Sequence, residues 1–258
     1  MKKLALGLAA MVAVVAGVAA MSAFEAHVIN VTAKIENALS VSTDEINFGT
    51  VFPQEHLKQP LDISLSESFM LEDRVDDVNY IIRQKPKCGW TLDNGKNLLG
   101  LPTASGHVTE NGEIVCPDPG NPLRPNGAVY GPLPLLCPYI SKEKADNDPD
   151  ENQNEIEIPA FHQPWVINND TVIWTDAVGR LAKSDDDTVD NWVIDLAVPC
   201  FGNYCAQDWA SWVHSINLDA DPDLYVQDIA NEHKIFGCDL WVEVTGVSET
   251  PEPTPTPS

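Results

Sequence analysis

Positive charge is what this 258-residue chain has least of: 15 Lys and Arg stand against 39 Asp and Glu. A surface of that sign repels nucleic acid and anionic lipid heads, and both are excluded as partners. Catalytic signatures are missing too. There is no G-x-S-x-G, no H-E-x-x-H and no glycine-rich phosphate loop. The six histidines, at 27, 56, 107, 162, 214 and 233, have no partner at helical ligand spacing. Ser141 to Lys144 matches S-x-x-K, but in a polar stretch without the companion motifs, where chance explains it. With so many acids, any two carboxylates can be named as a glycosidase pair, so the sequence singles out none. Long helices are argued against by 20 prolines and 15 glycines.

What is present begins with an address. Lys2 and Lys3 precede an uncharged run from Leu4 to Ala23 that ends in small residues. This pattern reads as an export signal over residues 1–23, cut after Val18-Ala19-Ala20 or after Ala20-Met21-Ser22. A retained membrane anchor is the alternative, since about 20 apolar residues span a bilayer. Either way the rest of the chain is expected outside the cytoplasm, extracellular or on the cell surface. Without the two leader lysines, 13 basic residues face 39 acidic ones, a formal charge of −26. Such a surface attracts cations, although negative charge also serves plain solubility.

Six cysteines lie beyond the leader: Cys88, Cys116, Cys137, Cys200, Cys205 and Cys238. An even count in an exported chain predicts disulfides. Zinc would need C-x2-C pairs or neighbouring histidines, and neither occurs; free buried thiols are the remaining alternative. Cys200 and Cys205 flank a Gly-Asn turn and are expected to pair. Cys116 with Cys137 would close a proline-rich loop, and Cys88 with Cys238 would join an early strand to the last one.

Periodicity predicts a mainly β fold, an antiparallel β-sandwich of jelly-roll type with long loops and one or two short helices, over residues 24–246. Strands of period 2 are expected within Phe24–Ser42, over Ile46–Pro53, over Pro60–Phe69 and from Val78 through Leu92. Asp93-Asn94-Gly95-Lys96 reads as a hairpin turn, as do Asn111-Gly112 and Asn168-Asn169-Asp170. Residues 117–138 are too rich in proline for a sheet interior. Asn191–Val198 is the clearest strand, with Trp192, Ile194, Leu196 and Val198 on one face. Trp209, Trp212, Val213 and Ile216 fall at helical spacing and predict a helix over Gln207–Ile216 that covers one end of the sandwich. Asp221-Pro222 suits the start of a second short helix. Lys234–Thr245 is expected as the closing strand. Residues 247–258, rich in Pro and Thr, read as an unfolded tail.

One acidic stretch rises above the rest. Asp146, Asp148, Asp150 and Glu157 stand at positions 1, 3, 5 and 12 of a calcium-loop spacing, with Asn152 between them. Glu151 occupies the place of the turn glycine. Asp219, Asp221 and Asp223 form a shorter version, and Asp185 to Asp187 with Asp190 a third cluster. A solvated acidic loop is the plain alternative.

Phe24 directly after the leader, the strand Val28–Val41, and the run Ile46-Asn47-Phe48-Gly49-Thr50-Val51-Phe52-Pro53-Gln54-Glu55 together resemble the start of TasA/camelysin-type secreted proteins. The resemblance covers residues 1–70. Gln54 stands where that pattern has glycine. It implies a jelly-roll matrix or fibre subunit of a microbial surface. The peptidase activity that the camelysin name implies has no metal-ligand motif here.

The function expected is therefore a secreted or cell-surface structural or adhesive protein, a fibre or matrix subunit. Val28, Ile29, Val31 and Ile35 make the segment behind the leader apolar, and it is expected to pair within its own sandwich or to complete the sheet of a second copy. A carbohydrate-binding module is the alternative, and a hydrolase with an unrecognised carboxylate site a further one. Trp90, Trp165 or Trp174 exposed on one flat face would favour a glycan partner; their burial would favour the structural role. A deep pocket with perturbed carboxylates would favour the enzyme.

Overall fold

The computed structural model describes residues 34–120, 127–146 and 155–249. The chain divides into two units, 1–35 and 36–258. The elements of the second unit, in order, are β1 (Leu39–Val41), β2 (His56–Leu65), α1 (Glu67–Met70), β3 (Val75–Leu92), β4 (Asn97–Leu98), β5 (Ala104–Ser105), β6 (His107–Val108), β7 (Ile114–Val115), β8 (Val129–Pro132), β9 (Glu143–Lys144), β10 (Trp165–Asn168), β11 (Thr171–Trp174), β12 (Ala177–Ala182), β13 (Val189–Ala197), α2 (Trp209–Ile216) and β14 (Cys238–Glu249).

The fold is mainly β, with antiparallel sheets and two short helices, as expected. One sheet runs β1-β2-β13-β9; the other runs β12-β3-β14, with β4, β5 and β8 pairing further along β3. Strict alternation makes these strands two-faced. Leu61, Ile63 and Leu65 of β2, Val78, Tyr80 and Ile82 of β3, and Trp192, Ile194 and Leu196 of β13 all point into the space between the sheets and are buried. The sandwich-like core is these three rows. β3 is its spine: its first half pairs with β12 and β14, and its second half carries β4, β5 and β8.

α2 forms where the sequence predicts it, and its aromatic stripe does cover the core: Trp209 and Trp212 pack edge-on to Phe161 at 5.7 and 5.5 Å. The hairpin β10–β11 turns on Asn169 and Asp170 at φ 49° and 59°, the left-handed pair a two-residue turn requires. The turns at Asp93–Lys96 and Asn111-Gly112 also join paired strands.

Several expectations are corrected. Residues 46–53 form no strand; the Asn47 side chain accepts from the Gly49 amide at 2.8 Å, a local turn that competes with sheet pairing. The strand expected over 60–69 starts earlier, at His56, and stops at Ser66, whose Oγ accepts from the Phe69 amide at 3.1 Å and caps α1. The closing strand expected over Lys234–Thr245 begins later, at Cys238, and runs on to Glu249. Asp221 caps a 3-10 turn, Pro222–Tyr225, rather than an α-helix. The expected leader, most of the expected tail, and Val28, Ile29 and Val31 lie outside the described residues.

All six cysteines are oxidised, which fits an extracellular or otherwise oxidising environment. Cys200 pairs with Cys205 as expected, but Cys88 pairs with Cys116 and Cys137 with Cys238. Strand register is the reason. Cys238 opens β14 directly after Gly237, whose carbonyl accepts from the Leu136 amide at 3.0 Å, so Cys137 arrives beside it. Cys116 follows the β6–β7 hairpin, which folds back against β3 over Gly106; a Cβ there would come within 3.2 Å of Cys88 Sγ and 3.0 Å of Ile114.

Candidate functional site

The acidic loop does not assemble a cation site from the described residues. Asp148, Asp150 and Asn152 lie outside them, while Asp146 and Glu157 mark the two ends. Glu157 Oε1 already accepts from the Lys144 amide at 2.7 Å. Asp221 accepts from the Asp223 amide, Asp185 pairs with Arg180 at 3.4 Å, and Asp187 and Asp190 are buried. Among the described residues no three His, Cys, Asp or Glu converge as metal ligands would.

The S-x-x-K residues do not act as a pair. Ser141 is wholly buried, and Lys144 Nζ is held by Glu155 at 2.9 Å. A different titratable cluster lies on the outer face of the β2–β13 sheet. His56 Nε2 meets Asp195 Oδ2 at 2.7 Å, and Lys58 is the ladder partner of Asp195. Burial raises the Asp195 carboxyl above its ordinary range, opposed by His56 and Lys58. Glu143, on neighbouring β9, is raised chiefly by burial and then by Asp195. A depression of about 250 Å³ is lined by Lys58, Gln59, Asp62 and Asn191, and neither perturbed carboxylate lines it.

The tryptophans form no flat platform. Trp90 is buried against Tyr130 at 5.3 Å. Trp165 and Trp174 meet edge to face across their hairpin at 5.5 Å, and the Arg83 guanidinium lies over Trp174 at the same distance. Trp241, which the sequence did not single out, is 45% exposed, but Lys85 Nζ sits 3.3 Å from its ring centroid and its indole N–H donates to Ser105. The cations over Trp174 and Trp241 belong to one ladder on the outer face of β3. Arg83 pairs with Asp176 and Glu243, Lys85 with Glu243, and Lys87 with Asp239. Scarce positive charge is thus spent within this sheet.

Between the sheets lies a polar layer that periodicity did not announce. The Trp192 indole N–H donates to the Tyr80 hydroxyl at 2.7 Å, and that hydroxyl donates to Asp190. β3 and β13 are thereby tied face to face, and burial pushes the Tyr80 phenol far above its usual range. Gly179 of β12 stands opposite Tyr80; any Cβ there would overlap the ring. Deeper in, Gln84 is wholly buried. Its Nε2 donates to the Ile140 carbonyl at 3.2 Å, and its Oε1 accepts from His162 Nε2 at 2.8 Å. Lys142 is wholly buried, and its Nζ has no hydrogen-bond partner among the described residues. Burial pushes this amine down to about 7, against the pull of Asp176. Burial also pushes the His162 imidazole down to about 3, helped by the Lys142 charge.

The last feature is a margin. On one side of the sandwich the segment 156–158 joins the sheets, bridging Val178 of β12 and Lys142 beside β9. The opposite side is bounded by β1 and β14, which among the described residues pair with β2 and β3 alone. There Val41, aligned with buried Ile63, is 38% exposed. Val244 and Val247, aligned with Tyr80 and Val78, are 45% and 48% exposed. Ladder register therefore aims three valines at the core, and among the described residues of the second unit none covers them fully. Comparison of the chain with family profiles, curated proteins and solved structures finds no match.

Proposed function

We propose that this is a secreted or cell-surface structural protein that assembles with itself by strand addition, a fibre or matrix subunit. The observation that carries the reading is the open margin, where Val41, Val244 and Val247 face inward yet remain half-exposed. An extended apolar segment from another subunit would cover them and pair with the free edge of β1 or β14. The segment behind the leader supplies one, with Val28, Ile29, Val31 and Ile35. A head-to-tail contact of this kind that does not close propagates into a filament.

Three further points support it. Three disulfides suit export. Gln54 has φ 63°, the left-handed conformation that the glycine of the TasA/camelysin-type turn would adopt. Trp90 is buried, Trp174 and Trp241 lie under cations, and Trp165 meets Trp174 edge to face, which weighs against a flat glycan platform. The perturbed carboxylates Glu143 and Asp195 lie outside the nearby depression, which weighs against a hydrolase.

Charge opposes association, and divalent cations offset it by screening. Calcium held between Asp146 and Glu157 belongs to this proposal. Millimolar calcium should raise Tm in the native chain and not in Asp148→Ala; an equal shift in both rules that loop out. The assembly itself is tested by deleting residues 24–35. The shortened chain should fold and stay monomeric, and a peptide of that sequence should bind it.

A further inference from the structure

β10 and β11 form a two-stranded ribbon that joins neither sheet. Such a ribbon is marginal by itself, and here it is supported from one side. Trp174 lies under the Arg83 guanidinium, and Ile167 packs near Gly112, where a Cβ would come within 3.5 Å of it. The other face carries the ladder pair Val166 and Ile173, both exposed. The Thr175 amide donates to the Pro164 carbonyl at 2.9 Å, so strand alternation turns the backbone groups of Val166 toward β11 and those of Trp165 and Ile167 toward the outer edge of β10. Among the described residues no strand pairs with that edge. Charge marks the same place. The chain carries a formal −24, yet from Ile158 to Thr175 the one acid is Asp170 and there is no Lys or Arg. A strip so nearly free of charge is where two copies of an acidic chain meet with least repulsion.

We propose that the β10 edge pairs with the β10 edge of a second copy, antiparallel about a two-fold axis at Val166. Trp165 of each copy then faces Ile167 of the other, and their outward amides and carbonyls exchange hydrogen bonds. Val166 meets Val166 on the exposed face, flanked by the two Ile173 side chains. Asn168 meets Pro164, whose missing N–H is not needed there. The β11 edge is disfavoured by charge. A two-fold axis at Ile173 would set Asp170 of each copy against Asp176 of the other, and like charges opposed across a ladder destabilise it. The β10 register opposes no like charges. A strand of four residues a side falls well short of the roughly 20–30 that a stable interface uses. The contact therefore leaves free subunits monomeric and acts between subunits that strand addition has already gathered, where repeated weak contacts add. In that respect it rests on the self-assembly proposed above, and it supplies the contact between one filament and the next.

The test is a cysteine trap in the full mature chain. In Val166→Cys the paired Cα atoms would lie about 4.5 Å apart, within disulfide reach. In Asn168→Cys, on the same exposed face, they would lie about 13 Å apart. Under mild oxidation with diamide, Val166→Cys should form a covalent dimer at least about tenfold faster than Asn168→Cys. A peptide map should show residue 166 joined to its own copy, with the three native disulfides intact. Val166→Lys should still form filaments but leave them single by electron microscopy. Equal trapping at the two positions overturns the proposal whether or not the chain assembles, and so do Val166→Lys filaments that bundle like the native ones. A chain that never assembles yet traps selectively at 166 keeps this contact and removes strand addition, so the two failures are told apart.

Discussion

Val247 and Val78 are partners in the β14–β3 ladder, and one is half-exposed while the other is fully buried. Residues aligned across a ladder share a face, so the difference lies in what covers them. Val78 sits beneath the β2–β13 sheet. Val247 sits past its margin, on an edge strand whose register shifts at Val244/Gly246 and again at Val247/Glu249. Such bulges limit edge pairing without abolishing it.

Replacing Val247 or Val244 with Lys should therefore leave folding nearly unchanged, within about 0.5 kcal/mol, since neither side chain is buried. Self-association should be lost. Adding a positive charge to so acidic a protein relieves repulsion, so a loss would trace to the apolar contact. Sedimentation at several concentrations reads the result, and undiminished assembly would count against the margin as the acceptor.

The Tyr80 hydroxyl is shared between Trp192 and Asp190 in a buried layer. Tyr80→Phe removes that hydroxyl while keeping the ring, and should cost about 1–3 kcal/mol. Urea unfolding followed by tryptophan fluorescence measures it. A change below about 0.5 kcal/mol would mean that the two sheets do not depend on this link.

These outcomes separate what the sequence revealed from what it hid. β13 and α2 were legible because Trp192, Ile194 and Leu196 repeat every second residue, and Trp209, Trp212, Val213 and Ile216 repeat at helical spacing. The β10–β11 turn was legible because Asn169 and Asp170 tolerate positive φ. The local Cys200–Cys205 pair was legible too, but the other two disulfides were not, since pairing depends on register between distant segments, 101 residues apart for Cys137 and Cys238. Nor was the interior position of Lys142 and His162, because local polarity reads as a loop wherever tertiary contacts do the burying. The open margin was invisible for a related reason: alternation shows which way a valine points and not whether a second layer reaches it.

His162 gives a pH dependence with a definite sign. In the folded chain it stays neutral down to about 3, whereas in the unfolded chain it takes a proton below about 6.5. Between those values the unfolded state binds the extra proton, so the stability owed to His162 falls as pH falls. From pH 7 to pH 5 the loss should be about 2 kcal/mol. Because the other groups titrate in both chains, the stability difference between the native chain and His162→Asn should shrink by that amount. A difference that stays constant or widens toward acid would contradict the buried neutral imidazole.

Self-association through the segment behind the leader is the central claim, and the most direct measurement is light scattering of the mature chain and of the 24–35 deletion, at high concentration in millimolar calcium. The account predicts that the intact chain grows into elongated multimers, that the deletion remains a folded monomer, and that the free 24–35 peptide binds the deletion with a fixed stoichiometry. An intact chain that remains monomeric under these conditions, or a deletion that assembles equally well, contradicts it.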